Sequence, residues 1–318
     1  MSEAGAALAA RLRERELSAA PDALNLLEST TASDREQARA LLGALSPAAL
    51  GSEAAGHVIG VTGPPGAGKS TLLGALLTLW RRNGRTVAIL AVDPSSRRSG
   101  GSLLGDRARI EFDPRDRGVL IRSSAAGEQL GGLAWPTRAA AQALAVAFDI
   151  VVIETVGVGQ AETDVAEATD TVLVVVQPAS GDVLQFLKAG IMEIPDVLAV
   201  TKSDLGAPAM RTKRDLSAAL RSLGSSAPVL IVSSLPPASG IEELADALQQ
   251  HRAGLDVTAR RVQARRASAL AEYARERGES GIRMLGGRHA VQRLLAAQDP
   301  GADVPALVGA LERDAQER

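Results

Sequence analysis

Residues Gly63-Pro64-Pro65-Gly66-Ala67-Gly68-Lys69-Ser70, followed by Thr71, match the pattern G-x-x-x-x-G-K-[ST]. Glycines at these places let the backbone curl so that successive N–H groups point at phosphate oxygens. A helix that starts near Lys69 adds the positive end of its dipole. Lys69 then reaches the β- and γ-phosphates, and the Ser70 hydroxyl is suited to Mg²⁺. The plainer reading, a chance glycine loop, is opposed by the context. The apolar run Val58–Thr62 precedes the motif and a helical pattern over Lys69–Asn83 follows it.

The base-recognition chemistry lies further on. Thr201-Lys202-Ser203-Asp204 follows an apolar run and resembles the N-K-x-D element of GTPases, with Thr for Asn. A carboxylate at Asp204 accepts from guanine N1–H and the exocyclic amine, a pair that adenine does not offer. A site built around such a pair rejects the wrong base strongly. The stem of Lys202 would cover the base face. Thr201 supplies a hydroxyl where Asn supplies an amide, which is expected to weaken one tether by ~1 kcal/mol. Read alone, T-x-x-D is also a common helix cap. Ser233-Ser234-Leu235, after the next helix and strand, resembles the S-A-x element whose backbone N–H meets guanine O6, with Ser234 for Ala. The order of the two elements favours GTP over ATP.

Three acids are candidates for the phosphate side. Glu154 ends the apolar run Ile150–Ile153 and precedes Gly157, whose N–H can meet the γ-phosphate. Asp93 ends the run Thr86–Val92 ahead of Pro94, and Asp106 lies in a glycine-rich stretch. Each alone reads equally well as a cap or surface carboxylate. Phosphoryl transfer depends on positioning and charge neutralisation. Gln160, Glu154 and Asp93 are candidates for orienting the water, and Arg97, Arg98 and Arg107 for stabilising charge.

These residues require a framework. Seven short β-branched runs begin near Val58, Thr86, Val119, Ile150, Thr171, Val197 and Val229, and several are separated by helical stretches. That alternation predicts an α/β fold, a mostly parallel sheet flanked by helices, with ligands at the carboxyl ends of its strands. Residues 1–56 are expected to be helical, with Ser33 or Asp34 capping the second helix and SPAALGSEAAG as a linker. Residues 57–252 form the nucleotide-binding domain, and 253–318 a helical extension.

Composition narrows the function classes. The chain has 318 residues, a formal net charge of −2, no cysteine and three histidines, His57, His251 and His289. Thiolate catalysis and Cys-ligated metal are thereby excluded. The histidines are far apart in sequence, so a His-built metal site is not expected. The charge makes no general case for nucleic acid or a membrane surface, and aromatic residues at 2% are too few for stacking platforms. No apolar run approaches the roughly 20 residues of a bilayer span. The N-terminus lacks a signal-peptide core. A cytoplasmic protein is expected.

The segments HVIGVTGPPGAGKSTLL, AVDPSSRRSGGSLLGDRARI, LGGLAWPTRAA, VVIETVGVGQAETDVA and SGDVLQFLKAGIMEIPDVLAVTKSDL together resemble the MeaB/ArgK-type GTPases. These are G-protein chaperones of adenosylcobalamin-dependent methylmalonyl-CoA mutase. The resemblance is strong over residues 50–252 and looser outside. It implies a SIMIBI-class P-loop fold with a C-terminal dimerisation arm, hence a homodimer. It also implies slow Mg²⁺-dependent hydrolysis of GTP to GDP, stimulated by an acyl-CoA mutase, and gating of cofactor delivery. By motif, Asp93, Asp106 and Glu154 match the family's acids near Mg²⁺, and residues 178–188 match a partner-sensing switch. Ala161 and Thr201 depart from the usual Ser and Asn. Some relatives carry a name as transport-system kinases, but no protein-kinase signature occurs here. Three other readings stand beside this one. A metallochaperone GTPase would ordinarily use Cys or clustered His. An ATP-using kinase conflicts with Asp204. A scaffold with a degenerate site conflicts with the intact Lys69 and Ser70.

Overall fold

A computed structural model of the chain describes residues 3–93, 110–125, 133–155, 160–178 and 195–317; side chains are described at these positions except 93, 124, 125 and 160–163. The described residues divide into two compact units. One comprises residues 1–56, 135–147 and 256–318, and the other 57–134 and 148–255.

The chain enters through α1 (Glu3–Arg13), α2 (Ala20–Glu28), α3 (Ala32–Ala44) and the single turn α4 (Pro47–Leu50). Pro21 opens α2, where its missing N–H is harmless. The cap of α3 is Thr31 rather than Ser33 or Asp34. Thr31 has extended backbone angles and its hydroxyl accepts from Asp34 N at 3.2 Å, while the Asp34 carboxylate is taken by the Ser29 hydroxyl. The stretch read as a linker contains α4 because Ser46 caps it and Pro47 suits its first turn.

The second unit is built on seven strands: β1 (His57–Thr62), β2 (Val87–Asp93), β3 (Val119–Ala125), β4 (Ile150–Thr155), β5 (Thr171–Val176), β6 (Val197–Val200) and β7 (Val229–Ile231). All pairings are parallel, in the order β3-β2-β4-β1-β5-β6-β7. The seven strands and the parallel sheet agree with the sequence reading, with ends shifted by one to three residues. The central strands are buried on both faces, which is why they read as unbroken apolar runs.

Among the described residues, four α-helices belong to this unit: α5 (Lys69–Arg82), α7 (Gln160–Ala168), α8 (Ala207–Ser222) and α9 (Ile241–Gly254); α6 (Trp135–Ala147) belongs to the other. Leu72, Leu73 and Leu76 of α5 and Leu244 and Leu248 of α9 cover the face bearing Ile59, Val61, Ile89, Val152 and Leu173. Leu216 and Leu220 of α8 cover Val172, Val174 and Leu198 on the other face. The register of α7 against β1 depends on Gly60. A Cβ there would stand 2.2 Å from Val165 Cγ1 and 3.0 Å from Thr169 Oγ1. Gly84, with φ 74°, closes α5 in the left-handed conformation, and Arg85 N donates back to Trp80 O at 2.9 Å. Trp80 lies in the core, 6% exposed, a packing residue as its context suggests.

An aspartate immediately before each of three strands satisfies a neighbour's backbone. Asp149 accepts from Thr86 N at 2.8 Å, Asp170 from Val58 N at 2.9 Å, and Asp196 from Val172 N at 2.8 Å. A charge-assisted bond at each strand start pins the register there. The same edge joins two histidines that are distant in sequence. The Thr171 hydroxyl stands 2.7 Å from His57 Nε2 and 2.8 Å from His251 Nδ1, and His251 Nε2 lies 3.2 Å from Asp196. His57 is thus a structural residue at the sheet boundary.

The C-terminal helices are α10 (Val257–Met284), α11 (Arg288–Ala296) and α12 (Val304–Glu317); α10 breaks at Gly278, φ 66°. Tyr273, Ile282, Leu285, Val291, Leu295, Leu307 and Leu311 form their apolar core. Arg265, 5% exposed, holds Glu53 through two bonds of 3.0 and 2.7 Å and donates to Pro300 O at 2.7 Å. Among the described residues no helix is long and apolar enough to cross a membrane.

Gly60→Ala should cost about 1–3 kcal/mol through overpacking against α7, read as a lowered urea midpoint with unchanged slope. Asp303 supplies a second test. Its carboxylate caps α12 at Ala306 N, 2.7 Å, while burial pushes its pKa above the ordinary aspartate range. Between the ordinary and raised values the folded state binds more protons than the unfolded chain, so stability falls as pH rises. Asp303→Asn keeps a capping oxygen and should remove that part of the slope in denaturation series from pH 3.5 upward.

Candidate functional site: a phosphate loop tied to the loop after β6

The site lies at the carboxyl ends of β1, β4, β5 and β6. Gly63 leaves β1 with φ 144°, and a Cβ on it would stand 2.0 Å from Val175 O, so only glycine fits against β5. Pro64 and Pro65 follow, and Gly66 and Gly68 adopt φ 77° and 89°. Gly68 is the N-cap of α5 without a side-chain cap, so the first helical N–H groups face the loop rather than a hydroxyl. Ala67 is buried, and its N–H donates to Pro64 O at 3.2 Å. Lys69 is 7% exposed, and its ammonium donates to Gly63 O at 2.7 Å and Pro64 O at 3.1 Å. Those carbonyls hold the ammonium over the loop. Thr71 is exposed on the first turn of α5.

Ser70 and Glu154 come together. The Ser70 hydroxyl donates to Glu154 Oε1 at 2.8 Å, and Glu154 is 8% exposed. Glu154 projects to the α5 face of the sheet because it shares that face with Val61, its register partner on β1. Two hard oxygen donors, a hydroxyl and a carboxylate, suit Mg²⁺, which keeps waters and takes further oxygens from a phosphate. Asp93 ends β2, whose preceding residue Val92 pairs with Thr155 of β4. Its backbone is thus at the same sheet end; its side chain, and that of Gln160 at the start of α7, are outside the described residues. So are Asp106, Gly157, Arg97, Arg98, Arg107 and residues 179–188.

The Thr201–Asp204 loop, the candidate for reading the base, follows β6. Thr201, 4% exposed, donates its N–H to Val176 O at 2.9 Å. Its hydroxyl lies 2.6 Å from Ala67 O and 3.1 Å from Val176 O. One threonine therefore joins the base loop, the phosphate loop and the end of β5. That tether is short and buried. Lys202 adopts a left-handed backbone, φ 55°, and its ammonium donates to Gly66 O at 3.2 Å. Ser203 N donates to Val232 O at 3.1 Å, and Ser203–Leu205 form a 3₁₀ turn rather than an Asp-capped helix.

Asp204 is exposed, with one carboxylate oxygen anchored. The buried Ser233 hydroxyl donates to Asp204 Oδ1 at 3.1 Å, and Ser233 Oγ accepts from Leu235 N at 3.3 Å. The sequence reading gave this serine element a backbone role at the base; its hydroxyl also holds Asp204. Ser233 is fixed by reciprocal 2.9 Å backbone bonds with Ser239. Ser234 is half-buried and Leu235 is 59% exposed. A further contact was not foreseen from sequence: Lys202 Nζ donates to Gln177 Oε1 at 2.5 Å. No motif marks Gln177, since the bond exists only because β5 and β6 are neighbours.

The structure thus brings Gly63–Thr71, Glu154, Thr201, Lys202, Asp204 and Ser233–Leu235 to one sheet end. Comparisons with known proteins identify the family. A family model described as methylmalonyl Co-A mutase-associated GTPase MeaB matches residues 20–283. A protein of Pyrococcus abyssi named as a GTPase is 42% identical over 241 residues, covering 73% of this chain and 72% of that one. The mouse protein named methylmalonic aciduria type A homolog, mitochondrial, is 38% identical over 245 residues, 72% of this chain and 58% of that protein. The crystal structure of a LAO/AO transport system kinase superposes with a TM-score of 0.67 at 28% identity, covering 99% of both chains. A family match over most of the length, on a parallel sheet with a phosphate loop after its central strand, shows that this chain belongs to the MeaB family of methylmalonyl-CoA mutase-associated GTPases.

Proposed function

We propose that this GTPase uses the site above to couple GTP hydrolysis to service of an adenosylcobalamin-dependent acyl-CoA mutase, of which methylmalonyl-CoA mutase is the first candidate. The observation that carries the site reading is the Thr201 hydroxyl bonded to Ala67 O at 2.6 Å, which makes phosphate binding and base binding one rigid unit. In this reading, loop N–H groups and Lys69 neutralise the β- and γ-phosphates. Asp204, held by Ser233, selects guanine, with Ser234 and Leu235 backing the base. Ser70 and Glu154, with Asp93 and Asp106 from the neighbouring segments, would hold Mg²⁺. The metal would supply charge neutralisation on the phosphates. Gly157 would sense the γ-phosphate, and Gln160, Glu154 and Asp93 remain the candidates for orienting water.

The mutase link rests on the family's description and on the relation to the methylmalonic aciduria type A protein. In our reading the chain acts as a chaperone: its nucleotide state gates cofactor loading and protects the mutase. A homodimer formed through the C-terminal helices completes the proposal.

Lys69→Ala should lower GTP turnover at least 100-fold, as expected when a phosphate-neutralising charge is lost. Asp204→Asn should leave turnover chemistry intact but reduce GTP preference, and raise acceptance of xanthosine triphosphate, whose C2 carbonyl accepts from the new amide. Competition binding with GTP, ATP and xanthosine triphosphate reads both. For the partner, GTP hydrolysis is measured with and without the host's cobalamin-dependent mutase. A rise in rate on adding mutase supports the coupling; an unchanged rate and no co-elution on gel filtration would sink the chaperone reading while leaving the GTPase.

A further inference from the structure

Among the described residues only Arg15 and Lys202 are non-glycine positions with positive φ, at 58° and 55°. A side chain in that region is strained, and it persists only where its surroundings over-determine it. Lys202 is held from both sides. Thr201 N before it donates to Val176 O at 2.9 Å, and Ser203 N after it donates to Val232 O at 3.1 Å. Its head is held as well, by Gly66 O at 3.2 Å and by Gln177 Oε1 at 2.5 Å.

The two head contacts differ in kind. Gly66 belongs to the exposed crest of the phosphate loop. Gln177 follows directly on Val176, the β5 residue that already anchors Thr201. The β5 end therefore grips the base loop twice, once by backbone and once through the Lys202 ammonium. An exposed lysine otherwise samples many rotamers, and a side chain ordered beforehand loses less entropy on binding. A positive head on a neutral amide oxygen is also a stronger bond than a neutral pair.

We propose that Gln177 is a positioning residue for nucleotide retention: its amide oxygen holds the Lys202 ammonium, so that the lysine stem lies ready as one wall of the base site. This rests on the base-site reading of Thr201–Asp204 given above. Gln177 touches neither phosphate nor base in this role. In this role it acts through Lys202, so its loss should speed nucleotide release without changing the hydrolysis step.

The test is a double-mutant cycle on the release rate of a fluorescent GDP analogue, chased with excess GDP in a stopped-flow instrument. Four full-length proteins are compared: the native chain, Gln177→Leu, Lys202→Met, and the double variant. Gln177→Leu should release GDP about threefold to tenfold faster, the range expected for one exposed charge-assisted bond. Lys202→Met should release it at least as fast, and the double variant no faster than Lys202→Met. Single-turnover hydrolysis of bound GTP should be unchanged in Gln177→Leu. Gln177→Glu, which keeps an acceptor oxygen, should release GDP no faster than the native chain. It also keeps the experiment informative if the leucine variant misfolds. Additive effects in the double variant, or native release from Gln177→Leu, would overturn the inference and leave the base site standing. Native release from Lys202→Met would instead remove the base-site reading, and this inference with it.

Discussion

The carboxyl end of β5 is the constraint on which the site depends. Its last two carbonyls face two different loops. Val175 O comes so close to Gly63 that a Cβ would stand 2.0 Å away, which brings the phosphate loop hard against the sheet. Val176 O accepts from the backbone of Thr201, and the Thr201 hydroxyl reaches on to Ala67 O at 2.6 Å. Buried backbone carbonyls at strand ends need partners. Val176 O finds its partner in the loop after β6, and Thr201 joins that loop in turn to the phosphate loop. A shift of β5 relative to β1 or β6 would disturb both loops together.

The opposite edge of the sheet works independently of the chemistry. Aspartates 149, 170 and 196 each accept from the N–H of a neighbouring strand, and the Thr171 hydroxyl links His57 and His251. These bonds fix the register of a parallel sheet whose strands are held together by long crossovers rather than tight turns. With the register secured there, the functional edge can tolerate unfavourable local geometry. Left-handed Lys202 and the successive positive-φ glycines Gly63, Gly66 and Gly68 stand at that edge. Strain concentrated at the site and polar satisfaction at the far edge are a division of labour along each strand.

Position 201 carries Thr where the N-K-x-D element it resembles carries Asn. A hydroxyl has one proton and two lone pairs, against two protons and an acceptor for an amide. The shorter side chain is buried and points at two carbonyls that lie close together, so one proton serves the tether. In the function proposed above, selection of the base rests elsewhere, on the Asp204 carboxylate, which accepts from the Ser233 hydroxyl. The serine element contributes a hydroxyl to the acid besides any backbone group it offers the base.

Much of this was written in the sequence itself, and for a local reason. A phosphate loop is contiguous: its glycines, lysine and serine need only each other and the strand and helix on either side. The seven β-branched runs are likewise local, because strands buried on both faces must be apolar throughout. What spans segments was not legible. Thr31 rather than Ser33 or Asp34 caps α3, because Ser29 claims the Asp34 carboxylate. The His57–Thr171–His251 chain, the Ser70–Glu154 pair, the grip of Ser233 on Asp204 and that of Gln177 on Lys202 all join residues from different strands or helices. Sequence spacing carries no information on such pairs, since strand order, β3-β2-β4-β1-β5-β6-β7, decides which ends are neighbours. The sequence by itself determined the phosphate loop and marked the Thr201–Asp204 loop as its companion. Only the tertiary structure, by laying β5 between β1 and β6, decided how firmly the two are joined.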